Sequence, residues 1–350
     1  MIGMAEYIWM DGATPTQKLR SKSRIVSFEN PKNVSVDDFP QWSYDGSSTY
    51  QADGSDSDLF LNPVSVVRDP IRGKDGNFLV MCEVMNPDGT PHKSNTRAAL
   101  REALDKGGAA AEPWLGFEQE YTLFQGRTPL GWPENGYPAP QGPFYCGVGA
   151  DEVFGRPLVE EHARVCIEAG LMIYGVNAEV MPGQWEYQIG YRGFAGESAD
   201  PLTVCDHSWI ARWLLYRLGE KFGITATLEP KPVKGDWNGA GQHTNFSTKA
   251  MRDSSGGMKA IEEAISRLSK THKEHIAQYG HKLEERLTGL HETCSIEEFK
   301  HGESDRGASI RIPLATYKNV CGYFEDRRPG ANADPYRIAN LLIRTCLDIK

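Results

Sequence analysis

The sequence predicts an α+β protein with a small β-rich part followed by a larger part in which strands and helices alternate. Short apolar runs separated by Gly, Pro and Asp turns fill the first 83 residues, a pattern typical of a small sheet. Beyond residue 94, segments with helical periodicity alternate with strands that are polar on one face only. The length of 350 residues exceeds one average domain, so two domains are expected.

The predicted strands of the first part are rich in β-branched, aromatic and other apolar side chains, and they cover residues 7–10, 22–26, 64–67 and 78–81. Residues 86–91 (NPDGTP) follow as a turn-rich linker. The linker separates this part from the segments with helical periodicity.

The first predicted helix covers residues 95–106, with Asn95 or Ser94 as its N-cap. Further helices are predicted over residues 157–169, 205–222 and 258–279. Residues 126–150 are rich in Gly, Pro and Tyr and lack periodicity, which indicates a long ordered loop.

Predicted strands of the second part carry carboxylate, imidazole or amide side chains on one face, and they cover residues 117–122, 177–180, 184–189 and 243–247. In the first of them, the period-2 geometry places Glu118 and Glu120 on one face while Phe117 and Tyr121 point into a core. A solvated strand alternates in the same way, but Thr and Lys are expected there, and Glu is a poor strand former. Clustered carboxylates need a compensating cation, and oxygen ligands suit Mg²⁺ or Mn²⁺.

Arginines of the C-terminal third form groups among Gly, Ser or Pro residues: Arg286; Arg306 with Arg311; and Arg327 with Arg328. A surface arginine usually packs its stem on the protein without a function. Arginines among turn residues, however, suit carboxylate and phosphate groups, and beside a metal face they predict phosphoryl transfer. The sequence has neither a Walker loop nor a Gly-X-Gly-X-X-Gly motif that opens a helix, which excludes P-loop and Rossmann arrangements.

Composition excludes several other classes of protein. The formal charge of −9 disfavours a general nucleic-acid surface. No apolar run is long enough to span a bilayer, and the N-terminus lacks the pattern of an export signal. The 7 cysteines are scattered without any Cys-X-X-Cys pair, which argues against a disulfide framework or a zinc site. A cytoplasmic protein without nucleic-acid or membrane partners is therefore expected.

Several motifs in one order strongly resemble the glutamine synthetases, in particular their short type II form. They are residues 42–49 (WSYDGSST), 116–121 (GFEQEY), 177–180 (NAEV), 184–186 (QWE), 238–245 (NGAGQHTN), 286–292 (RLTGLHE), 306–311 (RGASIR) and 323–329 (YFEDRRP). The resemblance implies a small N-terminal β-grasp-like domain over residues 1–90. It also implies a catalytic domain over residues 91–350, with a curved antiparallel sheet flanked by helices.

The resemblance further implies a role for individual residues. One metal site is matched by Glu120, Glu179 and Glu186, and the other by Glu118, His243 and Glu325. ATP would contact Trp114, Glu118, Asn245, Ser247, Arg306, Arg311 and Tyr323, and glutamate would contact Trp237, Asn238, Gly239, Arg286, Arg306 and Arg327. The implied catalytic residues are Arg306, Glu292 on a flap, and Asp45, which helps collect ammonium in the neighbouring subunit. Taken alone, Trp114 fits a core aromatic residue and His243 a hydrogen-bonded core histidine.

The implied activity is ATP-dependent ligation of ammonia to L-glutamate through γ-glutamyl phosphate, with Mg²⁺ or Mn²⁺, giving L-glutamine, ADP and phosphate. The implied assembly is a decamer of two pentameric rings, with active sites shared between neighbours. Three alternatives stay open: a γ-glutamyl ligase for another amine, a guanidino kinase, and a crystallin-like homologue without catalysis. Asp45 and Glu292 favour ammonium as the amine, and a guanidino kinase has no counterpart to the segment that contains Asp45.

Overall fold

The computed structural model describes residues 1–30, 32–73 and 75–350. The N-terminal part is one sheet with strand order β2-β1-β5-β4-β3. Its strands are β1 (Ile2–Met10), β2 (Leu19–Ser27), β3 (Trp42–Asp45), β4 (Asp58–Arg68) and β5 (Phe78–Met85). Strands β1 and β5 are parallel and the other neighbours are antiparallel. A core that includes Tyr7, Trp9, Leu61 and Val80 covers one face of this sheet.

The strands predicted in this part are confirmed, since each lies within β1, β2, β4 or β5. Strand β3 was not predicted, because it spans only 4 residues and its residues alternate between exposed and covered positions. It leads directly into a 3₁₀ turn over Gly46–Thr49, whose N-cap is Asp45.

The larger part contains a second sheet with strand order β12-β13-β14-β11-β6-β9-β8, while β7 and β10 pair with β6. Its strands are β6 (Trp114–Gln125), β7 (Thr128–Pro129), β8 (Ile173–Ala178), β9 (Gln184–Gly190), β10 (Thr225–Thr227), β11 (Gln242–Ser247), β12 (His301–Glu303), β13 (Ile310–Ile312) and β14 (Phe324–Asp326). The pairs are antiparallel except for β12 with β13. The predicted α+β class is thus confirmed, with one parallel pair in a sheet expected to be antiparallel.

Helices cover the apolar face of this sheet and leave the other face to the polar side chains. They are α1 (Thr96–Ala103), α2 (Arg156–Glu168), α3 (Pro201–Phe222), α4 (Lys249–Arg252), α5 (Gly257–Lys270), α6 (His272–Ile276), α7 (Leu283–Arg286), α8 (Leu314–Asn319) and α9 (Pro335–Leu347). The core between sheet and helices includes Phe117, Tyr121, Leu214 and Ile338. Within the described parts of the chain, no helix is long and apolar enough to cross a membrane.

The predicted helices are present, with differences at their ends. Asn95 caps α1 as expected, because its side chain accepts from the Ala98 N–H. Helix α3 begins at Pro201 rather than at residue 205, since Asp200 caps it there. The helix predicted over residues 258–279 is interrupted at Thr271, whose backbone is not helical, and His272 and His275 beyond it are buried.

A buried ion-pair network joins the two sheets. On α1, Arg97 lies between Glu83 of β5 and Asp206 of α3, at 2.9 Å and 2.8 Å. Because the three side chains are buried, removing one partner would leave an uncompensated charge. The network therefore fixes the small sheet against the helical layer of the larger part.

Candidate active site

The strand register places the polar side chains of the large sheet next to one another. His243 on β11 lies opposite Glu118 on β6, and Glu120 on β6 lies opposite Glu186 on β9. On the other side of β11, Asn245 lies opposite Glu325 on β14. Because side chains alternate between the faces of a strand, these residues share the face that the helices leave open.

The first ligand cluster consists of Glu120, Glu179 and Glu186, whose carboxylate oxygens lie within 4.8 Å of one another. Burial, reinforced by the charge of Glu120, raises the pKa of Glu179 to about 8. Burial, together with the charges of Glu118 and the other two glutamates, raises the pKa of Glu186 to about 9. These acids lose protons reluctantly because the charged form is desolvated and repelled.

Neutral donors orient the carboxylates of the first cluster. The Asn177 amide donates to Glu179 at 2.9 Å, and the Gln188 amide donates to Glu186 at 2.7 Å. Glu120 accepts a hydrogen bond from the Gly241 N–H. These contacts aim the oxygens at a common point without cancelling their charge, which is the arrangement that a hard divalent cation requires.

The second ligand cluster consists of Glu118, His243 and Glu325, again with donor atoms within 4.8 Å of one another. His243 Nδ1 lies 3.5 Å from Glu118 Oε2 and 3.7 Å from Glu325 Oε1. Burial, and after it the positive charge of Arg327, lowers the pKa of His243 well below its usual range. The imidazole is therefore neutral at physiological pH, which is the form that binds metal ions.

Arginines surround the second cluster. Arg311 contacts Glu325 Oε2 at 2.6 Å, and Arg327 contacts Glu325 Oε1 at 2.5 Å. Arg286 lies 2.9 Å from His243 Nε2, and burial lowers its pKa to about 10 although Glu120 opposes this effect. Guanidinium groups that face a cleft in this way form charge-assisted contacts with carboxylate and phosphate oxygens.

A cavity of about 220 Å³ joins both clusters and these arginines. It is lined by all the predicted metal ligands and by Asn238, Gly239, Arg286, Glu292, Arg306, Arg311 and Arg327. The side chains of Arg306 and Glu292 also line it and are exposed, with 3.5 Å between Nη1 and Oε2. The donor set and the arginines suit a divalent cation together with an anionic substrate.

A second cavity of about 210 Å³ is walled by aromatic rings and includes Trp114, Asn245, Ser247 and Tyr323. Tyr174 and Tyr191 complete its wall. Asn245 links the two cavities, because its amide donates to Glu118 Oε1 at 2.9 Å. Flat aromatic walls beside a charged cleft suit a base attached to phosphates.

Two of the expected site residues do not line either cavity in the described chain. Asp45 lies in the small sheet, where Ser47 and Ser48 donate to its exposed carboxylate and lower its pKa to about 2. The Trp237 ring is buried, and its centroid lies 4.8 Å from that of Trp132.

Several cavity residues were not among the expected site residues, and four of them carry an aromatic or imidazole ring. Tyr145 and His291 line the first cavity, and Tyr174 and Tyr191 line the second. Tyr174 lies on β8 ahead of the strand predicted over residues 177–180, so the predicted alternation of faces did not include it. The other three lie outside helices and strands, where no periodicity marks them.

Two family models match the chain: the glutamine synthetase β-grasp domain over residues 1–87, and the glutamine synthetase catalytic domain over residues 93–348. The chloroplastic glutamine synthetase of Chlamydomonas reinhardtii is 58 % identical over 353 residues, covering 98 % of this chain and 90 % of that relative. A glutamine synthetase of Streptomyces viridochromogenes is 56 % identical over 342 residues, covering 98 % and 96 %. The glutamine synthetase 2 cytoplasmic of Drosophila melanogaster is 50 % identical over 356 residues, covering 99 % and 92 %. The chain therefore belongs to the glutamine synthetase family.

Proposed function

We propose that this chain is a glutamate–ammonia ligase that converts L-glutamate, ammonia and ATP into L-glutamine, ADP and phosphate. The observation that supports the reaction best is that both acidic clusters and the arginines line the same cavity. A carboxylate is a poor electrophile, so amide formation requires prior activation by phosphorylation. That step needs anionic groups to be held together, and the cavity offers cation sites and guanidinium groups for this purpose.

The residues of both clusters fit a divalent metal. Glu120, Glu179 and Glu186 would hold one ion, and Glu118, His243 and Glu325 the other. When bound, such ions polarise phosphate and carboxylate oxygens and neutralise developing charge. We propose Mg²⁺ or Mn²⁺, because five carboxylates and one imidazole form a hard, oxygen-rich donor set.

The chain's own residues then position both substrates. Glutamate would be held at Asn238, Gly239, Arg286, Arg306 and Arg327, and the buried Trp237 directly precedes Asn238. ATP would place its base between Trp114 and Tyr323 near Asn245 and Ser247, and its phosphates near Arg311 and Glu118. The glutamate γ-carboxylate attacks the γ-phosphorus, ADP leaves, and Arg306 compensates the charge that develops.

Ammonia enters the reaction in the second step. Ammonium must lose a proton before its nitrogen can attack γ-glutamyl phosphate, and a carboxylate can bind the cation and accept that proton. Glu292 lines the cavity with an exposed side chain and is our candidate within the same chain. Asp45 is ionised at physiological pH and is our second candidate. A flap that carries Glu292 over the intermediate would also exclude water.

The position of Asp45 supports an assembly in which each site is completed by a neighbour. Asp45 lies in the small sheet and lines neither cavity described in its own chain. We infer a type II assembly of two pentameric rings, in which Asp45 of one subunit meets the metal clusters of the next.

Mixing two inactive variants tests this assembly. Asp45→Ala keeps both metal clusters, and Glu325→Ala keeps Asp45. A randomly mixed ring should regain activity at up to roughly a quarter of its sites. Native mass spectrometry verifies the mixing, and mixed rings that make no glutamine would mean that Asp45 serves its own subunit.

Two further assignments belong to this proposal. We take residues 1–90 as the β-grasp-like domain and residues 91–350 as the catalytic domain, because the turn-rich segment 86–91 lies between the two sheets. We place the enzyme in the cytoplasm, because all seven cysteines are free thiols and one relative is named as cytoplasmic. Because another relative is named as chloroplastic, cell fractionation is the experiment that tests this location.

Phosphate release and product formation test the reaction itself. With ATP and glutamate, we expect glutamine only when ammonium is present, and loss of both products after treatment with a chelator. Formation of a γ-glutamyl amide with a polyamine or an aniline, but not with ammonium, would indicate the related amine ligases. No product with any amine would indicate a crystallin-like homologue.

A further inference from the structure

The loop that carries Glu292 has an unfavourable backbone conformation. His291 and Glu292 both have positive φ angles, 52° and 58°, although neither is glycine. Such residues persist only where the surrounding contacts hold them. The Glu292 side chain supplies little of this, because it is 56 % exposed and its contact with Arg306 is 3.5 Å long.

The neighbouring His291 side chain is well anchored. It is only 16 % exposed, and each ring nitrogen has a partner. Nδ1 lies 2.8 Å from Gln141 Nε2, and Nε2 lies 2.9 Å from Asp236 Oδ1. The Asp236 side chain is 96 % exposed, so it is the contact with Gln141 that holds the imidazole against another loop. The Glu292 backbone itself is contacted by Arg327, whose Nη2 donates to the Glu292 carbonyl at 3.2 Å.

The direction of these hydrogen bonds follows from one backbone group. The Asn238 N–H donates to Gln141 Oε1 at 2.7 Å, and a backbone N–H cannot act as an acceptor. The Gln141 amide is therefore oriented with its NH₂ group toward His291, so Nδ1 accepts and the ring proton resides on Nε2. Nε2–H then donates to Asp236.

This chain of hydrogen bonds joins parts of the cavity that the reaction must coordinate. Asn238 lines the cavity beside the proposed glutamate contacts. Gly142, next to Gln141, donates its N–H to the Val180 carbonyl at 3.1 Å, directly after Glu179 of the first ligand cluster. Gln141 thus connects Asn238 and the segment after Glu179 to the loop that carries Glu292.

We propose that Gln141 is a positioning residue that acts through His291 to keep Glu292 over the γ-glutamyl phosphate. This inference rests on the proposed ligase activity. Without Gln141, the loop would relax and admit water. The water oxygen would bond to the acyl carbon, the bond between that carbon and the phosphate oxygen would break, and phosphate would leave with the electron pair. The water would also release a proton, so ATP would be spent and glutamate regenerated.

The test compares Gln141→Leu with the matched control Gln125→Leu, which alters an exposed glutamine at the end of β6. Phosphate release and glutamine formation are measured in the same reaction mixture, which contains ATP, glutamate, Mg²⁺ and a varied concentration of ammonium. Wild type and the control should release about one phosphate per glutamine, as the reaction requires. In Gln141→Leu, we expect glutamine formation to fall by roughly 10- to 100-fold and the ratio of phosphate to glutamine to rise several-fold. The KM for ammonium should rise while the KM for ATP stays unchanged.

A double variant tests whether the effect passes through His291. Gln141→Leu combined with His291→Leu should give the same ratio of phosphate to glutamine as either single variant. Each substitution breaks the same contact between Gln141 and His291, so the second one adds nothing. An unchanged ratio in a folded Gln141→Leu protein, or additive effects in the double variant, would overturn the proposal. If Gln141→Leu does not fold, His291→Leu, whose residue lies in an irregular loop, gives the same test. Failure of the wild type to form glutamine would instead refute the ligase activity, so the two failures are distinguishable.

Discussion

The two ligand clusters occupy one face of one sheet, but the charge of their carboxylates is balanced in different ways. In the first cluster, the amides of Asn177 and Gln188 contact Glu179 and Glu186. In the second cluster, the guanidinium groups of Arg311 and Arg327 contact Glu325. Neutral donors orient a carboxylate, whereas guanidinium groups also neutralise it. The first cluster therefore depends on an added cation more strongly than the second.

This difference has a consequence for metal affinity and for nucleotide binding. A cation at the first cluster replaces the protons of Glu179 and Glu186, so we expect its binding there to tighten as the pH rises. At the second cluster, Arg311 and Arg327 already compensate Glu325. A phosphate group that binds Arg311 and Arg327 would leave Glu325 free for the metal. The second site would then bind its ion together with the nucleotide.

The largest effect is expected from Glu120→Ala, which removes a carboxylate that the other members of the first cluster repel. Glutamine formation at saturating Mg²⁺ should fall by at least about 10³-fold, because a proposed metal ligand is lost. The thermal midpoint of the chelator-treated protein should stay equal or rise. Coupled assays of glutamine formation and thermal unfolding measure the two quantities.

Glu160→Ala is the matched control, because Glu160 lies on α2 with a side chain that is 67 % exposed. It should change neither activity nor the thermal midpoint by much. Near-normal turnover of Glu120→Ala at saturating Mg²⁺ would show that Glu120 is not a metal ligand. A large drop in its metal-free stability would show that the first cluster is not repulsive.

The polar-faced strands could be predicted because a strand alternates its side chains with a period of two, and Glu118 and Glu120 follow that pattern on β6. The strand predicted over residues 177–180 was wrong in its bounds, because β8 covers Ile173–Ala178 and Glu179 directly follows the strand instead of lying on it. The side-chain periodicity of strands and helices could not predict Gln141 or His291, because both lie in loops and their contact joins segments that are distant in the sequence. The break at Thr271 was missed for a related reason, since burial of His272 and His275 is a tertiary effect.

A pair of isosteric substitutions in the metal-free protein sharpens the comparison. Glu325→Gln should lower the free energy of unfolding by about 3 kcal/mol, because Arg311 and Arg327 lose a charged partner in a buried setting. Glu186→Gln should raise it by about 1 kcal/mol or more at pH 8, because Glu186 must take up a proton on folding at this pH and glutamine does not. Denaturant unfolding in the presence of a chelator measures both changes.

Both variants should lose glutamine formation, so activity alone does not separate them. Glu160→Gln on the exposed face of α2 serves as the control for the amide substitution and should be close to neutral. Changes of the same sign in Glu325→Gln and Glu186→Gln would mean that the arginines do not distinguish the clusters.

The smallest effect concerns the pH dependence of stability in the chelator-treated protein. In the folded protein the pKa of Glu179 is raised to about 8 and that of Glu186 to about 9, from an ordinary value of 4.5. A carboxyl group with a raised pKa retains its proton in the folded state after the unfolded chain has lost it. Its stabilising contribution is therefore complete below pH 4.5, declines as the pH rises, and is lost above about pH 9. We expect the free energy of unfolding to fall steadily between pH 6 and pH 9 without metal, and by much less with saturating Mg²⁺, which replaces the protons. In Glu186→Gln one of the two groups is absent, so the decline should be shallower. Metal-free stability that is constant over this pH range would show that the first cluster is as well compensated as the second.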